Sequence, residues 1–242
     1  MEYSLFYYPI PVNINGEILC RARAVLTSEE RERADAFRSQ TALDTFLLGR
    51  LILKTELASR CGVPAASIQL DISENGKPTI AKKHNKDNLH FSLSHCKSAI
   101  LVGIANCNIG VDIEEIDRLA AKTRITETFF AAGVVQQLKL CETKNSAELF
   151  TQFWTLLESR VKLLDSSIFI ERNKFDIVVD DSKTYTNTCG LECASWRIDN
   201  KYVFSVVFGH ASQLVDKSRS RLFLWNEDQK SPLDCKCIAS SS

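Results

Sequence analysis

The sequence predicts an α+β fold built from two similar α/β lobes in tandem, related by a pseudo-twofold axis. The chain has 242 residues, 45% of them hydrophobic, and so can bury a substantial core. Helical patterns followed by strand patterns occur once in residues 1–117 and again in residues 118–213. The repetition lies in the order of the elements and not in residue identity. Residues 214–242, which mix charges with a serine-rich end, are predicted to form a peripheral C-terminal tail.

The N-terminal lobe begins with two predicted helices. LTSEERERADAF has Thr27 or Ser28 as its N-cap and acidic residues in the first turn, where the helix dipole favours them. TALDTFLLGRLILKTELASRCG carries apolar residues at near-helical spacing and ends at Gly62, with Pro64 just beyond. The strand SIQLDIS, the turn ENGKP and the strand HFSLSH follow. NCN then separates SAILVGIA from IGVDIEEI, which predicts a hairpin.

The C-terminal lobe repeats this order. RITETFFAAGVVQQLKLC and AELFTQFWTLLESRVKLLD have the apolar spacing of helices, and KFDIVVD has the composition of a strand. CASWRI and YVFSVVFG, joined by DNK, form a second predicted hairpin.

Composition argues against several classes of protein. Lys plus Arg and Asp plus Glu both number 30, so nothing indicates a general nucleic-acid or membrane surface. The nine cysteines include no C-x-x-C pair, which favours free thiols in a reducing cytosol over a disulfide or zinc framework. The N-terminus lacks a basic region and is broken by Pro9 and Pro11, and no apolar run approaches the ~20 residues of a membrane helix. We therefore expect a soluble cytoplasmic protein.

The segment NIGVDIEEID places Asp112 and Glu114 within an otherwise buried strand. Side chains alternate along a strand, so the two carboxylates share one face, roughly 7 Å apart by backbone rise. Like charges this close are costly unless a cation lies between them, and Mg²⁺ accepts one or two protein carboxylates together with substrate phosphates. The alternative is that both residues form the wet face of an edge strand.

The predicted helix FTQFWTLLESRVKLL supplies a third carboxylate. Its apolar residues trace one stripe, and Glu158 and Lys162 lie on the flank of that stripe. One interpretation is a surface ion pair at i,i+4, worth ~0.3–0.5 kcal/mol. The other is that Glu158 completes a metal site while Lys162 contacts a phosphate oxygen.

Two further stretches carry groups that suit a phosphate. In FSLSH, side chains alternate, so Phe91 and Leu93 point one way and Ser92 and Ser94 the other. Ser94 and His95 lie at the end of this strand, where a hydroxyl and an imidazole can donate to phosphate oxygens. The alternative for His95 is a loop histidine without a ligand. In NGKP, Gly76 tolerates unusual backbone dihedrals and Lys77 precedes a rigid proline. Taken alone, NGKP indicates only a turn.

Four segments in this order resemble the motifs of one enzyme family: GKP at 76–78, FSLSH at 91–95, IGVDIE at 109–114 and FWTLLESRVK at 153–162. The family is that of the 4′-phosphopantetheinyl transferases of the surfactin-synthetase-activating type, and the resemblance covers about residues 25–210. It implies two fused α/β lobes with coenzyme A in the cleft between them. It also implies Mg²⁺ as cofactor, and transfer of the phosphopantetheine arm to a serine of an apo carrier protein with release of 3′,5′-ADP.

The resemblance implies roles for individual residues. The metal ligands would be Asp112, Glu114 and Glu158. Glu158 would also take the proton from the incoming serine, and Lys162 and His95 would contact the pyrophosphate. No nucleophilic serine or cysteine of the enzyme is required.

The contacts to the nucleotide side of coenzyme A are implied in the same way. They would come from Gly76, Lys77, Pro78 and Ser94, with further positive charge from Arg33 and Arg50.

Two positions depart from the family pattern. Leu157 stands where the family's helix carries the lysine of its Lys-Glu pair, and Thr45 stands where relatives carry an arginine that contacts the 3′-phosphate. Losing one charge-assisted phosphate contact costs about 1.5–3 kcal/mol. We therefore expect a working transferase with weakened coenzyme A binding. The alternative is a non-catalytic relative that binds coenzyme A or a carrier protein. A monomer is the expected state, and the sequence does not identify the carrier.

Overall fold

The computed structural model describes residues 2–85, 87–116, 124–141, 145–179, 184–187, 189–209, 222–226, 230–233 and 236–241. The fold is a mixture of α-helices and β-strands, as predicted. The helices are α1 (Gly16–Ala24), α2 (Ser28–Asp35), α3 (Gln40–Cys61), α4 (Arg124–Phe129), α5 (Ala132–Leu140), α6 (Ser146–Leu164) and α7 (Ile168–Glu171). The strands are β1 (Tyr3–Pro9), β2 (Leu70–Ile72), β3 (Pro78–Ile80), β4 (His90–Cys96), β5 (Ala99–Ala105), β6 (Ile109–Glu115), β7 (Ile177–Val179), β8 (Thr184–Asn187), β9 (Glu192–Ile198), β10 (Tyr202–Phe208), β11 (Leu222–Trp225), β12 (Lys230–Pro232) and β13 (Lys236–Ser241).

The predicted helix boundaries in the first half are close to those observed. Helix α2 begins after Thr27 in a capping box, in which the Thr27 hydroxyl accepts from the Glu30 amide at 3.3 Å and the Glu30 carboxylate accepts from the Thr27 amide at 3.1 Å. Helix α3 ends at Gly62, which has a φ of 66°. Helix α1 was not predicted.

The strands form two large sheets and one small hairpin. The first sheet has the order β12-β11-β1-β5-β4, the second has the order β6-β10-β9-β13-β8-β7, and β2 pairs with β3. The hairpin of β9 and β10 was predicted correctly.

The predicted hairpin between SAILVGIA and IGVDIEEI is wrong. These segments are β5 and β6, and β5 pairs with β1 on one side and β4 on the other, so that neither of its edges is available to β6. Strand β6 instead joins the second sheet, antiparallel to β10, with Ile109 opposite Phe208 and Glu115 opposite Tyr202. The connection between β5 and β6 therefore passes from one sheet to the other.

The described part of residues 214–242 is not peripheral. Strand β11 pairs in parallel with β1, and β13 pairs with both β9 and β8. Leu222 and Trp225 of β11 are 1% and 2% exposed. This segment adds β11 and β12 beside β1 in the first sheet and places β13 between β9 and β8 in the second.

Three apolar clusters hold the helices and sheets together. Helix α3 packs on the first sheet, where Leu48 and Ile52 join Ile100 and Val102 of β5. Helix α6 packs on the second sheet, and its residues form a cluster with strands of that sheet. A third cluster unites buried residues of β1 and β5 with residues of β6, β9 and β10, so the two sheets share a core.

Of the helices in the described ranges, none has the length and apolar character needed to cross a membrane. Cys20, Cys61 and Cys96 are free thiols.

Candidate active site

The site lies where the edge strand of one sheet meets the edge strand of the other. Two serines of β4 bridge this junction: the Ser92 hydroxyl accepts from the Val111 amide at 3.0 Å, and the Ser94 hydroxyl donates to Asp112 Oδ1 at 2.6 Å. Both serines are buried, as is Asp112. The alternation predicted for SLSH is confirmed, because both serine side chains point toward β6. The Ser92 hydroxyl satisfies a backbone amide of β6 on the edge that pairs with no other strand. We call this junction of β4 and β6 the seam.

Helix α6 lies unusually close to the seam because β6 carries a glycine. A Cβ atom at Gly110 would lie 1.9 Å from the Ser159 carbonyl oxygen and 2.8 Å from the Leu163 nitrogen. No other residue allows this approach. At this separation Lys162 reaches across to β6, and its Nζ lies 2.7 Å from Asp112 Oδ1.

Three carboxylates surround this lysine and interact electrostatically. Burial, followed by the charge of Asp112, raises the pKa of Glu114 from 4.5 to about 7. Burial and then Asp112 also raise the pKa of Glu158, and Lys162 opposes both shifts. The cluster therefore holds more potential negative charge than the one lysine balances.

The arrangement has one free position for a positively charged ligand. Asp112 Oδ2 is buried and has no hydrogen-bond partner among the described residues. A carboxylate set of this kind suits a hard divalent cation. As they stand, the side chains of the described residues do not form a group of three or more His, Cys, Asp or Glu that is already arranged to hold a metal ion.

A pocket of about 910 Å³ opens on the other side of Lys162. Its lining includes seven of the residues that the sequence analysis assigned to the donor: Arg33, Arg50, Gly76, Lys77, Pro78, His95 and Lys162. Four other assigned residues do not line the pocket: Ser94, Asp112, Glu114 and Glu158. The Ser94 hydroxyl instead donates to Asp112 across the seam. Lys162 thus connects the pocket to the carboxylates.

His95 lies at the edge of this pocket with an exposed side chain. Protein atoms that displace water from part of its ring lower its pKa, and Lys162 lowers it further, while Asp112 opposes both effects. A neutral imidazole can donate one hydrogen bond to an anion without adding charge.

Arg33 and Arg50 lie at another part of the pocket and both contact Phe46. Their guanidinium carbons are 5.4 Å and 5.0 Å from the centre of its ring. Arg50 also forms an ion pair with Glu30, with its Nε 2.9 Å from Oε1, although the angle is outside that of a hydrogen bond. Burial lowers the pKa of Arg50. Arg33 is exposed and so is the more available of the two to a ligand.

The NGKP turn joins β2 to β3 and docks on the C-terminus of α6. Gly76 has a φ of 89°, which favours glycine. Asn75 Nδ2 donates to the Asp165 carbonyl at 2.7 Å, and Lys77 Nζ donates to the Leu163 carbonyl at 3.2 Å. Burial lowers the pKa of Lys77. Lys77 therefore lines the pocket while also capping the end of α6.

Neither of the two positions that depart from the family pattern places a cation in the pocket. Leu157 is 3% exposed and belongs to the apolar cluster under α6. Thr45 lines the pocket, but its hydroxyl donates to the Thr41 carbonyl of its own helix at 2.8 Å.

The polar side of α6 was not predicted from the sequence. Thr151, Thr155 and Ser159 are 4%, 0% and 0% exposed, at a spacing of four residues. Small hydroxyl residues repeated at i, i+4 and i+8 are the pattern that would have indicated a close, polar helix–sheet contact.

Comparison with known proteins agrees with this geometry. Residues 108–207 match the family described as the 4′-phosphopantetheinyl transferase superfamily, and residues 15–107 match the family described as 4′-phosphopantetheinyl transferase, N-terminal. The two matches are adjacent and together run from residue 15 to residue 207. The chain belongs to the 4′-phosphopantetheinyl transferase superfamily.

Several curated members of the superfamily are similar to this chain. The 4′-phosphopantetheinyl transferase gsp of Aneurinibacillus migulanus is 30% identical over 152 residues, which make up 63% of this chain and 57% of that protein. The 4′-phosphopantetheinyl transferase of Bacillus subtilis is 24% identical over 161 residues, or 66% of this chain and 70% of that protein. L-aminoadipate-semialdehyde dehydrogenase-phosphopantetheinyl transferase of Mus musculus is 26% identical over an alignment of 226 residues, which covers 84% of this chain and 72% of that protein.

Proposed function

We propose that this chain transfers the 4′-phosphopantetheine arm of coenzyme A to a serine of an apo carrier protein, with release of 3′,5′-ADP. The single observation that carries the proposal is the position of Lys162. In a chain of this superfamily, it lines a pocket rich in cationic side chains and also pairs with a carboxylate of the Asp112 cluster. We assign the chain to the surfactin-synthetase-activating type. The donor would bind between an N-terminal lobe, residues 1–117, and a C-terminal lobe, residues 118–213, since residues of both parts line the pocket. A monomer in the cytosol suffices, because one chain supplies the whole site.

The donor carries two phosphate groups in its pyrophosphate and a third on the ribose. Lys162 and His95 lie nearest the seam and would bind the pyrophosphate. Arg33, Lys77 and the Gly76–Pro78 turn would bind the nucleotide side, with Arg50 adding charge from behind Phe46. Ser94 would act through its hydrogen bond to Asp112.

Asp112, Glu114 and Glu158 would hold Mg²⁺. The unpartnered Oδ2 of Asp112 and the raised pKa values of both glutamates support this assignment, because a cation would relieve the same excess of negative charge. When bound, the ion would neutralise charge on the pyrophosphate.

The protein's own side chains account for the remaining chemistry. The carrier serine attacks the phosphorus next to the pantetheine arm, and the bond to the departing 3′,5′-ADP breaks. Lys162 would stabilise the charge that develops on the leaving phosphate. Glu158 would accept the proton of the serine hydroxyl, directly or through water.

The direct test is a mass measurement on a panel of apo carriers from fatty-acid, polyketide, nonribosomal-peptide and lysine pathways, incubated with coenzyme A and Mg²⁺. At least one carrier should gain the mass of phosphopantetheine, and Asp112→Ala should stop the gain. Asp35→Asn, a change in the exposed Arg23–Asp35 ion pair, neither member of which lines the pocket, is the matched control and should leave the gain intact. No gain with any carrier would contradict the proposal.

A second candidate is a non-catalytic protein that binds coenzyme A or a carrier. The buried Leu157 and the self-bonded Thr45 favour it, because neither supplies the expected charge. Calorimetry separates the two candidates: a binder would retain affinity for coenzyme A or the carrier and show no transfer in the mass assay.

A further inference from the structure

Five buried polar side chains form a row of hydrogen bonds beneath α6, and the backbone carbonyl of Gln152 closes the row into a ring. The ring is nowhere more than 5% exposed, and its members come from one helix and three strands of the second sheet: Gln152, Thr155, Tyr185, Ser195 and Ser205. A polar ring at this depth is costly unless each of its groups has a partner.

The hydrogen bonds of this hydroxyl ring run in one direction. Gln152 Nε2 donates to the Tyr185 hydroxyl, which donates to Ser195 Oγ at 2.8 Å. Ser195 Oγ and Ser205 Oγ lie 2.7 Å apart, as do Ser205 Oγ and Thr155 Oγ1. Thr155 closes the ring by donating to the backbone carbonyl of Gln152 at 3.0 Å. Since Tyr185 and Thr155 use their protons in these bonds, Ser195 must donate to Ser205 and Ser205 to Thr155, so that every hydroxyl donates once.

The hydroxyl ring lies next to the proposed active site. Thr155, Glu158 and Lys162 lie at i, i+3 and i+7 of α6, so the ring and the two charged groups share one face of the helix. Ser205 is the strand partner of Asp112, so their side chains project from the same side of the sheet.

A second contact strengthens this connection. The Ser159 hydroxyl donates to the Ser205 carbonyl at 3.0 Å, next to the close approach of α6 to Gly110. Ser205 therefore bonds to Thr155 and Ser159 of α6, and the proposed metal ligand Asp112 pairs with Lys162 within the same two turns of that helix.

We infer that the hydroxyl ring sets the axial register of α6 on the second sheet and thereby positions Lys162 and Glu158 against Asp112. Apolar packing is non-directional, and the cluster beneath α6 alone would tolerate small shifts of the helix along its axis. Hydrogen bonds with defined angles from four different elements do not tolerate such shifts. Thr155 and Ser205 are thus positioning residues, and this inference rests on the proposed function.

The helix provides its own matched control. Thr151 lies one turn before Thr155, is also buried, and its hydroxyl donates only within α6, to the Ala147 carbonyl at 2.8 Å. Thr155→Val opens the ring, Thr151→Val removes a hydroxyl outside it, and Thr155→Ser restores the donor. The measurements are coenzyme A affinity by calorimetry, and kcat and KM for the carrier in the transfer assay.

Thr155→Val should weaken coenzyme A binding about 10-fold and lower kcat about 10- to 100-fold, because Lys162 and Glu158 lose their register. Its KM for the carrier should stay within about twofold, and Thr155→Ser should recover most of both losses. Thr151→Val should remain within about twofold of the wild type in all three quantities. The inference is overturned if Thr155→Val and Thr151→Val behave alike, or if Thr155→Ser is as impaired as Thr155→Val.

Two additions keep the result decisive. If Thr155→Val does not fold, Ser205→Ala opens the ring without altering α6 and is judged by the same criteria. If the wild-type protein transfers nothing to any carrier, the proposed function fails, and the ring is then tested by hydrogen exchange of the amides at 159–162. Exchange should be faster in Thr155→Val than in Thr151→Val, and equal rates would overturn the inference.

Discussion

Two buried charge clusters flank the same pocket, and they differ in their balance of charge. The first surrounds Glu30 of α2. Its carboxylate lies 2.9 Å from Arg50 and 2.8 Å from the fully buried Lys54, and it also accepts from the Thr27 amide. One carboxylate thus serves two cations and a helix cap. No additional cation is needed to neutralise this carboxylate.

The second cluster surrounds Asp112 at the seam and has the opposite balance. Lys162 is the cation paired with Asp112, while Glu114 and Glu158 have pKa values raised by burial and by Asp112. One oxygen of Asp112 has no hydrogen-bond partner in the described part of the chain.

The difference indicates which cluster stabilises the fold and which one serves a ligand. Removing charge from the balanced cluster leaves buried cations without a partner, so stability should fall. Removing negative charge from the Asp112 cluster relieves repulsion, so stability should change little while function is lost. The two clusters therefore make opposite predictions for similar substitutions.

Asp112→Asn should give the largest effect. Transfer to a carrier should fall about 100- to 1,000-fold, since one ligand charge next to the pyrophosphate is lost. The free energy of unfolding in urea should change by less than about 1 kcal/mol, because the Lys162 side chain is 29% exposed and can be solvated. A large loss of stability with activity retained would reverse the roles that we assign to the two clusters.

Glu30→Gln should give the largest loss of stability. Removing this charge leaves Arg50 and the fully buried Lys54 without their counterion, which costs about 3 kcal/mol. Glu29→Gln, one residue earlier and exposed, is the control and should lie within about 0.5 kcal/mol of the wild type. Urea unfolding of the two variants measures the contrast, and equal values would show that the Glu30 cluster is not structural.

Leu157→Lys tests whether a charge can be restored where the family pattern has one. Leu157 is buried in the apolar cluster under α6, so a lysine there should cost about 2 kcal/mol of stability and should not raise turnover. Leu157→Met keeps the volume and should cost less than about 1 kcal/mol. A rise in turnover at unchanged melting temperature would instead show that the new ammonium reaches the pocket.

The pH dependence of stability should report Glu114, with the smallest effect of the four. The folded protein retains a proton on this residue up to about pH 7, whereas the unfolded chain releases it near 4.5. Stability should therefore be full below pH 4.5 and decrease by about 1–2 kcal/mol as the pH rises to 7, after allowance for solvent screening. Thermal melts with a metal chelator measure this decrease. Glu114→Gln should flatten it, and an unchanged slope in that variant would assign the effect to another group.

Local patterns predicted several features of this site correctly. The alternation of SLSH placed Ser92 and Ser94 on one face, and the apolar stripe of α6 placed Leu157 in the core. Each of these features depends on the period of one strand or one helix, which a short stretch of sequence contains in full.

Features that depend on two distant segments were missed or incompletely predicted. Lys162 was expected to contact phosphate or to pair with Glu158 four residues away, and it pairs with Asp112 fifty residues away. Ser94 was expected at the nucleotide and donates to Asp112. A side chain's partner is set by which other element is brought within ~3 Å of it, and no local pattern encodes that.

The amino-acid order alone was enough to locate the N-cap of α2, the C-terminal end of α3 and many of the helices and strands, because each depends on neighbours within about four residues. The acidic and basic groups of the proposed site were assigned through the resemblance to a family. Long-range packing decided the rest. Strand β6 pairs in the second sheet and not with β5, and β11 and β13 each join one of the large sheets. Helix α6 lies close enough to Gly110 for its hydroxyls to take part in a hydrogen-bonded ring. The physical reason is that strand edges, helix approach and buried polar partners depend on free energies shared among segments far apart in the chain, which exist only once the whole core has formed.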